Sequence, residues 1–146
     1  MKNRVNINAT QPQAYKAMYA LERYLETTQL SKTHKELVKI RASQINGCAF
    51  CIDMHTKDAL QQGETIQRIV LLDAWRETKL FTAEERVVLA VTEAVTLIHK
   101  GGISDELYQE AENVLGSEYV AQLIMAIATI NAWNRIAIST HLQPGE

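Results

Sequence analysis

At 146 residues, 47% hydrophobic and 22% charged with six Gly and two Pro, the chain has the make-up of one globular domain, long enough to bury a core without staples. The formal net charge of −2, from 15 Lys plus Arg against 17 Asp plus Glu, is spread without any block, which argues against a nucleic-acid arm or a polybasic membrane anchor. So few turn residues also disfavour a many-stranded sheet.

The opening residues Met1 to Asn8 include Lys2 and Arg4 but no apolar run behind them, so no secretory signal is expected. Thr10, Gln11 and Pro12 read as a capped helix entry with Pro in the first turn, and Tyr15, Met18, Leu21 and Leu25 give one apolar face to about Thr27. Ser31 is placed to cap a second helix running through Ile45, with Leu37 and Ile40 inward and Lys32, Lys35 and Lys39 mostly solvated; Asn46 and Gly47 end it. A third helix is predicted from around Cys48 to Gln62, stopped by Gly63, and a fourth from Glu64 to about Glu77. Thr82 and Glu85 form a capping box that opens a strongly apolar helix through Val87, Val91 and Ile98, ended by Gly101 and Gly102. Ser104 caps a short helix ending near Gly116, and Ser117 a last long one.

The whole chain, residues 1–146, therefore reads as a single all-α domain of about six or seven helices. The stretch from Val120 to Ile138 is interrupted by Gln122, Asn131, Asn134 and Arg135, a polar load that a bilayer span would not carry. A cytoplasmic location is expected, with no membrane and no nucleic-acid partner. The last helix and the one before Gly101 are apolar round much of their circumference. Either they are central core helices or, as we favour here, one face of them is a subunit interface.

The chemistry concentrates in one segment. Cys48 and Cys51 are three residues apart, and His55 follows Cys51 by four. On one helix these positions share a face, so the two sulfurs can meet and the imidazole can reach Cys51. Cys48, just after the Gly47 break, falls in the first turn, where free amide groups and the helix dipole favour a thiolate. A thiolate with a second thiol one turn away suits peroxide or disulfide chemistry: the first sulfur is oxidised, and the second closes an internal disulfide before over-oxidation. Helix-end position favours Cys48 as attacker and His55 proximity favours Cys51; we lean to Cys51 as peroxidatic and Cys48 as resolving. Zinc is the rival, with Cys48, Cys51 and His55 joined by His34 or Glu36, but structural zinc sites draw ligand pairs from separate segments and no second pair exists. Haem attachment fails because Ile52 stands where His is required.

The run Gln44, Ile45, Asn46, Gly47, Cys48, Cys51, His55, with Glu36 twelve residues before the first Cys, resembles the AhpD-like alkylhydroperoxidases of the carboxymuconolactone decarboxylase family. Weaker support comes from Leu72 to Glu77, Phe81 to Arg86 and Ile130 to Arg135. The resemblance implies an all-helical domain assembled as trimers or hexamers, acting as an alkyl hydroperoxide reductase with a hydroperoxide substrate, a thiol reductant, and no cofactor or metal. It also implies the catalytic set Glu36, Cys48, Cys51 and His55, with Glu36 orienting or charging His55. In the well-studied peroxidases of this type a second His directly precedes the second cysteine; here that position is Phe50. Lactone decarboxylation is disfavoured by the presence of the Cys pair. A redox sensor with little turnover is the other alternative.

Outside this set, His34 is expected to be solvated, His99 to complement a helix C-terminus, and His141 to be able to approach a neighbouring subunit. Trp75 and Trp133 are expected in core or interface rather than as substrate platforms. Arg86 and Glu93, seven apart on an apolar helix, are read as a buried ion pair.

Overall fold

The computed structural model describes residues 4–145; the first three residues of the N-terminal segment read above lie outside it. Eight α-helices follow one another: α1 (Ile7–Thr10), α2 (Pro12–Glu26), α3 (Lys32–Asn46), α4 (Ala49–Gln61), α5 (Ile66–Val70), α6 (Ala83–Thr96), α7 (Asp105–Leu115) and α8 (Ser117–Thr140). Two 3-10 turns, Leu72–Glu77 and Ile98–Lys100, follow α5 and α6. Seven of the eight correspond to predicted elements. The extra one is α1, a single turn capped by the Asn6 side chain.

Most starts are where side-chain chemistry puts them. Ser31, Thr65, Thr82 and Ser104 each accept a backbone N–H in the first turn of the helix that follows, and Thr82 and Glu85 complete the reciprocal capping box. Two expectations fail locally. Ser117 is the first residue of α8 rather than its cap; Gly116 holds that place, and the Ser117 hydroxyl donates to Glu112 instead. The predicted fourth helix breaks after Val70 into the 3-10 turn, which turns Leu72 and Trp75 inward.

α3 is the central element: it packs against α4, α6 and α8. One core cluster joins Val38 and Ala42 of α3 to Val88 and Val91 of α6 and to Leu123 and Ile127 of α8. A second gathers Leu37 and Ile40 with Leu72, Trp75, Phe81 and Leu89. The apolar excess of α6 is thus consumed inside the chain, which makes α6 a core helix. α8 is only partly covered, leaving Met125 and Ile138 exposed. Among the described residues, no single helix is long and apolar enough to cross a membrane.

Candidate active site

Gly47 makes the turn that builds the site. It sits in the left-handed region at φ 72°, which costs a residue with a side chain more than it costs Gly. Its N–H and that of Cys48 donate to the Gln44 and Ser43 carbonyls, closing the end of α3. Cys48 then enters as the N-cap of α4, one residue earlier than the first-turn position expected, and its Sγ accepts the Cys51 N–H at 3.3 Å. Cys48 and Cys51 are disulfide-bonded, with Cα atoms 5.3 Å apart, and both are buried among Ala137, Phe50 and Leu142. The N-cap holds a negative sulfur well, because free amides and the helix dipole point at it.

Because α3 and α4 lie side by side, Glu36 and His55 meet across them. His55 Nδ1 is 3.4 Å from Glu36 Oε2, while Lys39 Nζ is 3.6 Å from Glu36 Oε1. Both side chains are buried, and neither Oε2 nor Nδ1 has an aligned hydrogen-bond partner. Burial pushes the Glu36 carboxyl up, but His55 and Lys39 together outweigh it and hold the group below its ordinary value. A carboxylate in this position faces the imidazole through Nδ1 and leaves the opposite ring nitrogen outside the pair. Asp58 Oδ2 lies 3.8 Å from the same Nδ1, and the ligand atoms of Glu36, His55 and Asp58 fall within 4.8 Å of one another, enough to admit a cation. Lys39 already supplies positive charge to Glu36, which weighs against that use.

Cys51 and His55 open on a cleft of about 320 Å³, whose other walls include Tyr15, Glu22, Phe50 and Trp133. Cys48 does not line it. Glu36 also borders a separate polar cavity shared with Glu64, Arg68 and Glu85. The four predicted site residues are therefore brought together as two coupled pairs, a disulfide and an acid–imidazole pair.

Three expectations need correction. Lys35 is buried rather than solvated, with its Nζ 3.4 Å from Glu26 Oε1. His34 is buried rather than solvated: its Nδ1 lies 2.6 Å from Tyr119 Oη, and desolvation lowers its pKa against the opposing pull of Glu85 and Glu84. Arg86 and Glu93 do not pair. Arg86 donates to the carbonyls of Trp75, Arg76 and Thr78, while Glu93 accepts from Arg41 at 3.0 Å, Arg76 at 2.5 Å and the Trp75 indole at 2.9 Å. Trp133 packs against the core as expected and also walls the cleft, donating its indole N–H to Glu22 at 3.0 Å. His99 is exposed in the turn after α6, and His141 takes the left-handed C-cap of α8 at φ 59°.

Sequence reasoning also missed a buried amide network. Asn46 donates to the side-chain carbonyls of Asn131 and Asn134, each at 2.9 Å, and Asn134 donates to the Ser43 hydroxyl at 2.9 Å. It ties the end of α3, just before Gly47 and Cys48, to α8. The signal was present as two polar residues interrupting an apolar helix.

An all-helical AhpD-like fold carrying a two-cysteine centre at a helix N-cap defines the class. The chain belongs to the carboxymuconolactone decarboxylase family, whose profile matches residues 12–94. It is 43% identical over 139 residues to the uncharacterized protein YdfG of Bacillus subtilis strain 168, covering 95% of each chain. Its fold superposes with a TM-score of 0.94 and 39% identity, over 99% of both chains, on a protein of unknown function from Agrobacterium tumefaciens that has been suggested to be the antioxidant defence protein AhpD. The debrominase Bmp8 shares the fold, with a TM-score of 0.82 at 16% identity over 93% of this chain and 73% of that one.

Proposed function

We propose that the protein is a dithiol peroxidase that reduces hydroperoxides through Cys51 and Cys48, with His55 and Glu36 as the proton relay. The observation that carries this is the division of labour between the sulfurs: Cys51 borders the cleft beside His55, while Cys48 is enclosed at the α4 N-cap.

In the reduced protein, His55 takes the Cys51 thiol proton and Glu36 stabilises the imidazolium. The Cys51 thiolate attacks the outer peroxide oxygen; the O–O bond breaks, Cys51 becomes a sulfenic acid, and the leaving alkoxide takes the proton from His55 to depart as an alcohol. Cys48, as thiolate, attacks the Cys51 sulfur, the S–O bond breaks, and hydroxide leaves as water after protonation. A thiol reductant restores the pair in two exchanges: a second reductant thiol releases the mixed disulfide that the first forms by attacking Cys51 Sγ. Cys48 is the leaving group of the first exchange, favoured by its N-cap environment. Lactone decarboxylation is disfavoured because no Lys or Arg lines the cleft to hold a carboxylated substrate. We place the protein in an oligomer, with Ile66 and Val70 on one face of α5 and Met125 and Ile138 on α8 as the exposed apolar surface available to it.

The test is a stopped-flow reaction of the reduced protein with hydroperoxides, comparing wild type with Cys51→Ser and Cys48→Ser. Cys51→Ser should abolish fast thiol oxidation. Cys48→Ser should keep the first step and accumulate a sulfenic acid that a dimedone-type trap captures. Fast oxidation of Cys48 in the Cys51→Ser variant would overturn the assignment.

A further inference from the structure

The cleft beside Cys51 is more selective in its make-up than peroxide chemistry requires. A thiolate that served hydrogen peroxide alone would need only a narrow polar passage. Here Tyr15 and Tyr19 of α2 converge on Trp133 of α8, with ring centroids 5.4 and 5.7 Å from the indole. Phe50 and Met54 of α4 supply further wall, Phe50 standing beside the disulfide. Tyr19 and Met54 are half-exposed, at 50% and 40%, so the cleft opens to solvent past their side chains. Its volume of about 320 Å³ is at the small end for an organic ligand. Aromatic walls that present both edges and faces suit a single ring better than a flexible chain, because rings pack edge to face or offset with little loss of side-chain freedom.

The charge in the cleft is as one-sided as its shape. Among its lining residues there is no Lys and no Arg; the one carboxylate is Glu22, held in place by the Trp133 indole. His55, at the inner end, has its Nδ1 committed toward Glu36. A substrate carrying its own carboxylate would bring like charge against Glu22 inside an apolar enclosure, where the imidazolium formed on His55 is already matched by the Cys51 thiolate and Glu36, which is how sites reject a wrong ligand.

We propose that this cleft selects compact, neutral hydroperoxides bearing one aromatic ring, with Trp133 as the platform and Glu22 as the group that excludes carboxylated ones. The proposal deepens the dithiol peroxidase reading and rests on it.

Two measurements on the full chain separate the two. First, second-order rates of the reduced protein are compared for cumene hydroperoxide, its 4-carboxylate derivative and hydrogen peroxide. The neutral aryl compound should react at least about tenfold faster than the carboxylate, the scale of a misplaced like charge. Glu22→Gln, which keeps the acceptor for Trp133, should shrink that ratio toward one, and Trp133→Leu should lower the cumene rate relative to that of hydrogen peroxide. Second, binding of 2-phenyl-2-propanol and its 4-carboxylate to the disulfide form is followed through the Trp133 indole N–H resonance, which needs no turnover. Only the neutral alcohol should shift it. Equal rates for the charged and neutral peroxides, or equal binding of both alcohols, overturn the selectivity proposal and leave the peroxidase standing. Selective binding by a protein inert to every peroxide supports the selectivity and overturns the peroxidase.

Discussion

Replacing Glu36 by Gln keeps the shape of the side chain and removes its charge, which separates what the carboxylate does for the fold from what it does for the thiol. In the native chain it lies 3.4 Å from His55 Nδ1 and 3.6 Å from Lys39 Nζ, with its side chain only 10% exposed. Losing charge-assisted partners in such a setting costs about 1.5–3 kcal/mol, and part of that is the Lys39 ammonium left half-buried without its counter-charge. Because the folded carboxyl sits below its ordinary 4.5, its contribution is fully present above that value and disappears as pH falls through the lower folded value. Urea unfolding of both proteins between neutral pH and the acid limb should therefore show the stability gap at neutral pH, closing below the ordinary carboxylate range. The rate of Cys51 oxidation, measured on folded protein at neutral pH, should fall by about 10²–10⁴-fold, the range for losing acid–base assistance. A gap that stays constant with pH would mean that the Glu36 carboxyl titrates alike in the folded and unfolded chain, so that its charge gains nothing from His55 and Lys39. An unchanged oxidation rate would remove it from the relay.

Other consequences follow from the same packing. Glu93→Ala should cost about 1.5–3 kcal/mol by urea unfolding, because Arg41 and the Trp75 indole lose a charged acceptor while Arg41 keeps Asp73 at 2.6 Å. Asn134→Ala should destabilise by about 2–4 kcal/mol, combining a small cavity with the Asn46 and Ser43 groups it leaves unpaired; a change within error would show that water replaces the amide. Gly47→Ala meets no neighbouring atom within 4 Å but keeps the φ of 72°, so the cost should be about 1–2 kcal/mol of backbone strain alone. Sedimentation over a wide dilution series should show the oligomer dissociating with loss of stability, whereas a well-folded monomer persisting throughout would count against assembly.

The parts of this structure that were legible in the sequence are those decided by neighbours in the chain. The caps at Ser31, Thr82 and Ser104 and the stop at Gly47 follow from groups within a few residues of each other, and so does the meeting of Cys48 with Cys51. Glu36 could be assigned to the site only through resemblance, because its partner His55 lies on the next helix and the spacing alone also fits a solvated residue. Where distant packing decides, the residue pattern misled. His34 reads as a surface residue until Tyr119, 85 positions away, arrives over it. Arg86 and Glu93 share a helix stripe, but Glu93 is claimed by Arg41 from α3 and by Trp75 and Arg76 from the 3-10 turn. The aromatic cleft was invisible for the same reason, since it needs α2 to cross α8 and bring Tyr15 and Tyr19 onto Trp133.

Whether Cys51 is the peroxide-reactive sulfur and Cys48 its resolving partner is decided by intact mass and peptide mapping of the fully reduced protein and its Cys48→Ser variant after one equivalent of an organic hydroperoxide. The expected result is a loss of about two daltons, with Cys48 joined to Cys51, and a sulfenic acid confined to Cys51 when Cys48 is replaced by Ser. Sulfinic acid accumulating on one cysteine while the other stays a free thiol would contradict it.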